Sequence, residues 1–194
     1  IRLVPFGEYV PFFEFLRRIY EIGDFTPGVE YTLFRTPVRW GYGVAPDNRP
    51  RAFSTLICYE DIFADLCRTF VRKGSTLFVN VTNDAWFGDS TAPYQHAQSS
   101  VFRAVENRVP VVRAANTGLS CYIDVTGRVV DSVKDGGKEI EVAGFKIFDV
   151  VLNHRPTFYT AHGDWLIVVL LVTFVATHTL STARLNTTPV DDLD

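Results

Sequence analysis

The chain has 194 residues, of which 47% are hydrophobic and 21% charged, and 19 basic against 22 acidic side chains leave a net charge of −3. This balance is typical of a folded protein and excludes a disordered one. Without a basic excess, the chain lacks the electrostatic footprint of a nucleic-acid binder. Three cysteines without a C-x-x-C pair exclude a disulfide scaffold, a zinc ribbon and a thioredoxin-like site. We therefore expect a folded chain with a core, and no nucleic acid, metal or cofactor as its partner.

The first 50 residues predict little regular structure. Apolar residues at helical spacing predict a short helix over residues 12–21. The stretch at residues 23–50 is rich in Pro and Gly, which predicts loop with short strands near residues 31–34 and 38–42.

From residue 52 onward, buried strands alternate with helices. Apolar runs of strand length are followed by segments whose apolar residues recur at helical spacing. The predicted order is strand, helix, strand, helix and strand over residues 52–59, 61–73, 76–82, 92–108 and 109–115. After residue 118 the period drops to two, which predicts a hairpin from residues 121–125 and 128–133 and a further strand over residues 145–152. The pattern predicts an α/β fold whose second half is more antiparallel.

The segment after Asp164 differs from the rest of the chain. The 19 residues between Asp164 and Arg184 include no Asp, Glu, Lys or Arg, and they begin at Trp165. This length is close to the roughly 20 residues that span a bilayer core, and a Trp at the boundary is typical of an interfacial anchor. We therefore predict a transmembrane helix over residues 164–184 and a polar tail over residues 185–194. The alternative is a helix or a strand pair buried in the core.

Cys58 is the candidate nucleophile. It lies at the carboxyl end of a predicted buried strand, and such a side chain faces the edge where α/β proteins bind ligands. A helix N-terminus directly after it favours the thiolate. The alternative is that Cys58 is a small buried apolar residue, which is common for free cysteine. Cys67 and Cys121 have no such placement, and we expect both to be packing residues.

A catalytic thiol needs a base or a positive neighbour, because it is mostly protonated at neutral pH. Glu60 and Asp61 are adjacent just after Cys58. Glu8 is a lone acid in an apolar loop between two prolines, which favours a structural or site role over a solvated one. The histidines show no metal-ligand spacing, and we expect positions on the polar surface or on a helix face for His96, His154, His162 and His178.

Several ordered motifs along the chain resemble one family. They are LVPFGEYVP (residues 3–11), ICYE (57–60), NVTNDAWFG (80–88), the stretch from QH to RAVENR (95–108), RAANTG (113–118), and YT with GDW (159–165). Together they cover about residues 3–165 and resemble the apolipoprotein N-acyltransferases, part of the wider nitrilase, or carbon–nitrogen hydrolase, superfamily. Several motifs of this length in one order are far more specific than a lone Cys-Tyr-Glu.

The resemblance implies a fold, a location and a reaction. The fold is α/β: part of a nitrilase-like α-β-β-α sandwich over residues 1–163, followed by one C-terminal transmembrane helix. The family lies in the bacterial inner membrane with its nitrilase-like domain on the periplasmic side, and Arg184 opposite Asp164 agrees with a cytoplasmic tail. The implied reaction moves an acyl chain from a membrane phospholipid, through a cysteine thioester, to the N-terminal amine of a diacylglyceryl-cysteine apolipoprotein.

The resemblance also implies roles for single residues. Cys58 matches the family's nucleophile, and Glu8 and Glu60 match acids that orient the amine and shape the pocket. The positions that flank the acyl chain are matched by Tyr59, Trp86 and Phe87, whose aromatic rings suit a boundary between lipid tails and headgroups.

Two members of the family's Glu, Lys and Cys triad have no match in this sequence. The resemblance implies a general-base Glu well upstream of Ile1 and an oxyanion-stabilising Lys immediately before it. The sequence also contains no methionine and begins inside an apolar segment with no signal peptide in front. We therefore expect a fragment of a longer enzyme. We expect the fragment itself to be inactive, because loss of an oxyanion donor costs about 3 kcal/mol or more and a thiol without its base stays protonated.

Two other functions fit the same residues. A soluble nitrilase-type amidase would use Cys58 on a small carbon–nitrogen substrate and would have no use for the apolar span. A membrane-anchored binding domain would keep Cys58 only as a core residue. Partition into membranes separates the first from the acyltransferase, and a trapped thioester on Cys58 separates the second.

Overall fold

The computed structural model describes residues 28–36, 39–40, 43–44, 51–153 and 155–185. Glu8, the predicted helix over residues 12–21 and the tail at residues 186–194 lie outside the described residues. In chain order the elements are β1 (Phe34–Thr36), β2 (Arg39–Trp40), β3 (Gly43–Val44), β4 (Arg51–Ile57), α1 (Ala64–Arg72), β5 (Leu77–Asn83), α2 (Ala92–Asn107), β6 (Val111–Asn116), β7 (Cys121–Ile123), β8 (Val129–Ser132), α3 (Phe158–His162) and α4 (Trp165–Leu185). Two 3-10 helices, here called the Cys58 turn (Cys58–Ile62) and the Trp86 turn (Ala85–Phe87), follow β4 and β5.

Six of these strands form one mixed sheet in the order β1-β4-β5-β6-β7-β8. β4, β5 and β6 are parallel neighbours, and α1 and α2 make the connections between them. β1 pairs antiparallel with β4, and β6, β7 and β8 pair antiparallel in turn. β2 and β3 form a separate antiparallel pair. The predicted α/β fold with a more antiparallel second half is therefore confirmed.

Two predicted boundaries shift around Cys58. The strand predicted over residues 52–59 ends at Ile57, because Cys58 takes a left-handed backbone conformation with a φ of 54°. The helix predicted from residue 61 begins only at Ala64, since the Cys58 turn comes first. The chain therefore makes a sharp turn at the residue where a nucleophile was predicted.

The strand predicted over residues 145–152 is wrong, since these residues belong to no strand. The segment contacts the β7–β8 hairpin through side chains: Lys146 pairs with Asp131, and Tyr122 Oη accepts from Val151 N at 3.3 Å. Phe145 is 89% exposed. The alternating apolar residues of the segment 145–152 therefore do not reflect hydrogen-bonded pairing with the described strands.

The core lies between the sheet and the helices α1 and α2. Alternate residues of β4 and β5 are buried, as the period of two requires, and Leu56 and Phe78 are fully buried. Cys67 from α1 and Ala104 from α2 belong to the same cluster, together with Cys121. Burial raises the pKa of Cys121 to about 11. Cys67 and Cys121 are therefore packing residues, as predicted.

α4 is the predicted membrane-spanning helix. Its window Trp165–Thr182 has a mean hydropathy of 1.9, and no part of it is buried against the described chain. With 21 residues and a rise of about 1.5 Å per residue, α4 is long enough to cross a bilayer core of about 30 Å. Its exposure disagrees with the alternative of a buried core element.

α3 ties the start of α4 to the end of α2. Thr157 caps α3 by accepting from Thr160 N at 3.0 Å, and its hydroxyl donates to the Glu106 carbonyl. Thr160 Oγ1 donates to Asn107 Oδ1 at 3.0 Å, and both residues are buried. Because buried hydrogen bonds are costly to break, this contact fixes where the apolar helix leaves the fold.

Candidate active site

Cys58 lies at the end of the sheet that is formed by the carboxyl ends of the parallel strands β4, β5 and β6. Its φ of 54° is costly for a residue with a Cβ, and such strain is typical of functional sites. Two hydrogen bonds hold this backbone: Ile57 N donates to Glu60 Oε2 at 2.8 Å, and Asn80 Nδ2 donates to the Cys58 carbonyl at 3.1 Å. The Cys58 residue is half-buried, whereas the other two cysteines are buried. Cys58 is therefore the accessible thiol of the three.

Of the two predicted acids, the structure describes Glu60. Its carboxylate accepts the hydrogen bond from Ile57 N, so it braces the turn that carries Cys58. Glu8 lies outside the described residues. The amine-orienting role expected for both acids stays a prediction.

The three predicted aromatic residues lie on the two turns at this edge. Tyr59, on the Cys58 turn, meets Phe87, on the Trp86 turn, in an edge-to-face contact with ring centroids 6.2 Å apart. Trp86 is 83% exposed. The structure therefore brings Tyr59 and Phe87 together and leaves Trp86 as a large apolar side chain at the surface beside them.

A buried ionic cluster of Asp61, Asp84, His96, Ser100 and Arg113 adjoins the two turns, and Asp61 is itself part of the Cys58 turn. His96 Nδ1 lies 2.8 Å from Asp84 Oδ1, and His96 Nε2 lies 3.3 Å from Asp61 Oδ1. Arg113 Nη1 donates to Asp61 Oδ2 and to Ser100 Oγ, each at 2.7 Å. Arg113 Nη2 also lies 3.7 Å from Asp84 Oδ2. Each carboxylate therefore faces both basic side chains.

The charges of this cluster balance when His96 is protonated. Two carboxylates would otherwise face one guanidinium, and an unpaired buried charge is costly. Burial by itself lowers the pKa of His96, but interactions with Asp61 and Asp84 outweigh it and raise the pKa to about 9. Burial by itself raises the pKa of Asp84, but its contacts with His96, Thr82 and Arg113 lower the pKa overall. With His96 protonated, the cluster therefore holds two cations and two anions.

This cluster was not predicted from the sequence. His96 lies on a helix face, as one of the two expectations had it, but that face packs against the sheet and His96 is only 4% exposed. Arg113 was the available signal, because a charged residue inside an apolar strand must be paired when it is buried. Among the described residues, no group of three or more His, Cys, Asp or Glu side chains is arranged to hold a metal ion. The exposed histidines are His162 on α3 and His178 on α4, and His154 lies outside the described residues.

Comparison with known proteins finds relatives of this chain. Residues 1–147 match the family described as Carbon-nitrogen hydrolase. The Apolipoprotein N-acyltransferase of Geobacter metallireducens is 44% identical over 168 residues, which are 84% of this chain and 29% of that protein. The Apolipoprotein N-acyltransferase of Chlorobaculum tepidum is 36% identical over 164 residues, which are 84% of this chain and 30% of that protein. The chain therefore spans less than a third of the length of these two curated relatives.

Solved structures of the nitrilase superfamily match part of the chain. A Saccharomyces cerevisiae member of branch 10 of that superfamily is 22% identical with a TM-score of 0.42, over 58% of this chain and 40% of that one. An amidase from Nesterenkonia sp. is 25% identical with a TM-score of 0.42, over 56% of this chain and 39% of that one. The family assignment rests on the sequence matches and not on these partial structural matches.

Proposed function

Because the chain belongs to the carbon–nitrogen hydrolase family, we propose that it carries the cysteine nucleophile of an N-acyltransferase. The full-length protein transfers an acyl chain from a membrane phospholipid to the N-terminal amine of a diacylglyceryl-cysteine apolipoprotein. One observation carries this proposal: the accessible Cys58 thiol stands on a strained turn at the edge where three parallel strands end. The names of the relatives support the acceptor class.

The proposed reaction has two halves that share one thioester. In the first half, Cys58 Sγ attacks the ester carbonyl of the phospholipid, a C–S bond forms, and the C–O bond to the glycerol breaks. The proton lost by the thiol goes to the released hydroxyl. In the second half, the amine nitrogen attacks the thioester carbonyl, an amide bond forms, the C–S bond breaks, and the Cys58 thiolate regains a proton from the amine. Dividing one difficult transfer into two easier steps is the gain of nucleophilic catalysis.

The side chains around the nucleophile take complementary roles in this proposal. Tyr59, Trp86 and Phe87 flank the acyl chain, because aromatic rings suit the boundary between lipid tails and headgroups. Glu60 and Glu8 orient the acceptor amine. The family's general-base Glu and oxyanion-stabilising Lys are assigned to no residue of this sequence, so we expect no acyl transfer from these 194 residues alone.

A covalent intermediate is the direct test of this function. We expect the full-length protein, incubated with a dipalmitoyl phospholipid, to gain a palmitoyl group on the peptide that contains Cys58. Mild hydroxylamine should remove that group, because it cleaves thioesters. Mass spectrometry of the digested protein measures both steps.

The controls separate this thioester from other adducts. Cys58→Ser should give no adduct that mild hydroxylamine removes, whereas Cys67→Ala changes a buried thiol and should keep the adduct. A folded protein that never acylates Cys58 would exclude the acyltransferase and leave the binding-domain function in place.

The proposal places α4 across the bacterial inner membrane, with the sheet on the periplasmic side. Arg184 follows the apolar span and Asp164 precedes it, so the positive-inside rule favours a cytoplasmic carboxyl terminus. We therefore expect green fluorescent protein fused after Asp194 to fluoresce, and alkaline phosphatase fused there to be inactive.

Substitutions within α4 sharpen this topology test. Leu171→Arg puts a charge near the middle of the span and should reduce the fluorescence of the membrane fraction. Ser181→Arg is the matched control, because an arginine near the helix end extends its charge to the interface. A fluorescent fusion in the soluble fraction, insensitive to Leu171→Arg, would favour the soluble amidase instead.

A further inference from the structure

The imidazole of His96 is held by both turns that flank the candidate nucleophile. The Cys58 turn contacts it through the ring of Tyr59 and the carboxylate of Asp61. The Trp86 turn contacts it through the ring of Phe87, and Asp84, the residue that precedes this turn, contributes its carboxylate. One acid and one aromatic ring from each side of the site therefore converge on the same buried side chain.

The distances and angles between these rings and His96 are typical of packed aromatic side chains. Tyr59 stacks on His96 with centroids 4.5 Å apart and an interplanar angle of 23°. Phe87 meets the same imidazole at 6.1 Å and 72°, an edge-to-face arrangement. A cation over the face of a tyrosine ring is attracted by the ring quadrupole, and burial strengthens that attraction. Tyr59 and Phe87 therefore both pack against the imidazole ring of His96.

We propose that His96 is a positioning residue for the reaction at Cys58. Through its contacts with Tyr59 and Phe87, it sets the positions of these two aromatic side chains relative to the Cys58 thiol. This inference rests on the proposed function, and it goes beyond it by assigning a role to a residue in the layer beneath the site. His96 acts through its neighbours and does not itself touch the substrate. The ring, with its two nitrogens pointing to opposite sides, is what joins the two turns.

The protonation state of His96 matters to this role. The groups that face its ring are Tyr59 and Asp61 from the Cys58 turn and Asp84 after β5, and Arg113 from β6 binds the same carboxylates. A neutral imidazole has one N–H donor, so it can donate to only one of the two carboxylates. His96 Nδ1 is hydrogen-bonded to Asp84 Oδ1 at 2.8 Å, whereas Nε2 lies 3.3 Å from Asp61 Oδ1 without a hydrogen bond, so the imidazolium attracts both carboxylates through its charge.

The test compares two double variants that keep the cluster neutral, one without an aromatic ring at position 96 and one with it. His96→Gln/Asp84→Asn removes one cation and one anion together, so Asp61 and Arg113 remain as a pair. His96→Phe/Asp84→Asn makes the same charge change but keeps an aromatic ring beneath Tyr59. The full-length protein is incubated with a dipalmitoyl phospholipid, and the rate of thioester formation on Cys58 is measured. Each rate is divided by the folded fraction of the protein, measured by tryptophan fluorescence, so unfolded protein does not count.

We expect the glutamine variant to form the thioester about 10-fold or more slowly than the unaltered protein, since misplaced reacting groups have effects of this size. The phenylalanine variant should recover most of that loss. Equal rates of thioester formation in the two double variants would overturn the proposal. A merely structural role of His96 would change the urea unfolding midpoints of the variants but would not make their rates differ. Absence of a thioester in the unaltered protein would overturn the proposed function, and the positioning role with it. A normal thioester in the unaltered protein with equal rates in the variants would overturn the positioning role alone.

Discussion

Replacing Arg113 with methionine in the full-length protein is expected to lower the free energy of unfolding by about 3–5 kcal/mol, because breaking a buried ion pair leaves an uncompensated charge. Arg113 is buried, and its Nη1 donates at 2.7 Å to both Asp61 Oδ2 and Ser100 Oγ. Methionine is also long and flexible but has no donor, so the loss comes mainly from charge and hydrogen bonding and not from a cavity. Equilibrium urea unfolding followed by tryptophan fluorescence measures it.

The loss of unfolding free energy caused by Arg113→Met should be smaller at low pH. The pKa of Asp84 is lowered in the fold, so its ionised form stabilises the protein above the ordinary carboxyl pKa, and this contribution is lost as the pH falls through the lowered value. Without Arg113, protonation of a carboxylate relieves the unpaired charge as the pH falls. Arg128→Met is the matched control, since Arg128 pairs with Asp124 at the surface and its loss should cost less than about 1 kcal/mol. Equal losses in the two variants would contradict the buried cluster.

Replacing Gly118 with alanine is expected to lower the free energy of unfolding by about 3 kcal/mol, at the upper end of the usual cost of overpacking. The new Cβ would lie 2.0 Å from Asp84 Oδ2 and 2.6 Å from Asp84 Cγ. The Asp84 carboxylate has little room to move, because Thr82 Oγ1 donates to it at 3.0 Å and His96 Nδ1 lies 2.8 Å from it. Its backbone is also fixed, since Asp84 N donates to the Asn116 carbonyl at 3.0 Å.

Gly28→Ala is the matched control for this glycine. A Cβ at Gly28 would meet nothing within 4 Å, so the change should alter stability by less than about 0.5 kcal/mol. The same urea titration measures both variants. If Gly118→Ala proves as stable as Gly28→Ala, the Asp84 carboxylate does not lie where the cluster requires it. The acyl-transfer rate would then show whether the Trp86 turn had moved as well.

Much of the α/β framework was predictable because it depends on neighbours in the chain. The alternation of apolar runs with helical spacing located β4, α1, β5, α2 and β6 to within a few residues. The placement of Cys58 at a strand end follows from the same pattern. Where the pattern was ambiguous, prediction failed: the alternation over residues 145–152 is typical of a strand, but it does not show whether a ladder partner lies alongside.

The buried ionic cluster was not predictable in the same way. Asp61 and Arg113 are 52 residues apart and make a 2.7 Å contact only because β4, β5 and β6 lie side by side. His96 comes from a helix that packs across the same strands. No local pattern records such a meeting: Arg113 inside an apolar strand indicates that a buried charge needs partners, but not which residues they are.

The sequence by itself determined the layered α/β pattern, the apolar helix near its end and the cysteine at a strand edge, since hydrophobic periodicity and turn chemistry act over a few residues. Only the tertiary structure decided that Cys58 takes a left-handed conformation and that His96 is buried between two carboxylates. It also decided that Tyr59 stacks on that ring and that Phe87 meets it edge to face. These features arise from contacts between distant segments, and such contacts exist only once the sheet has brought its strands together.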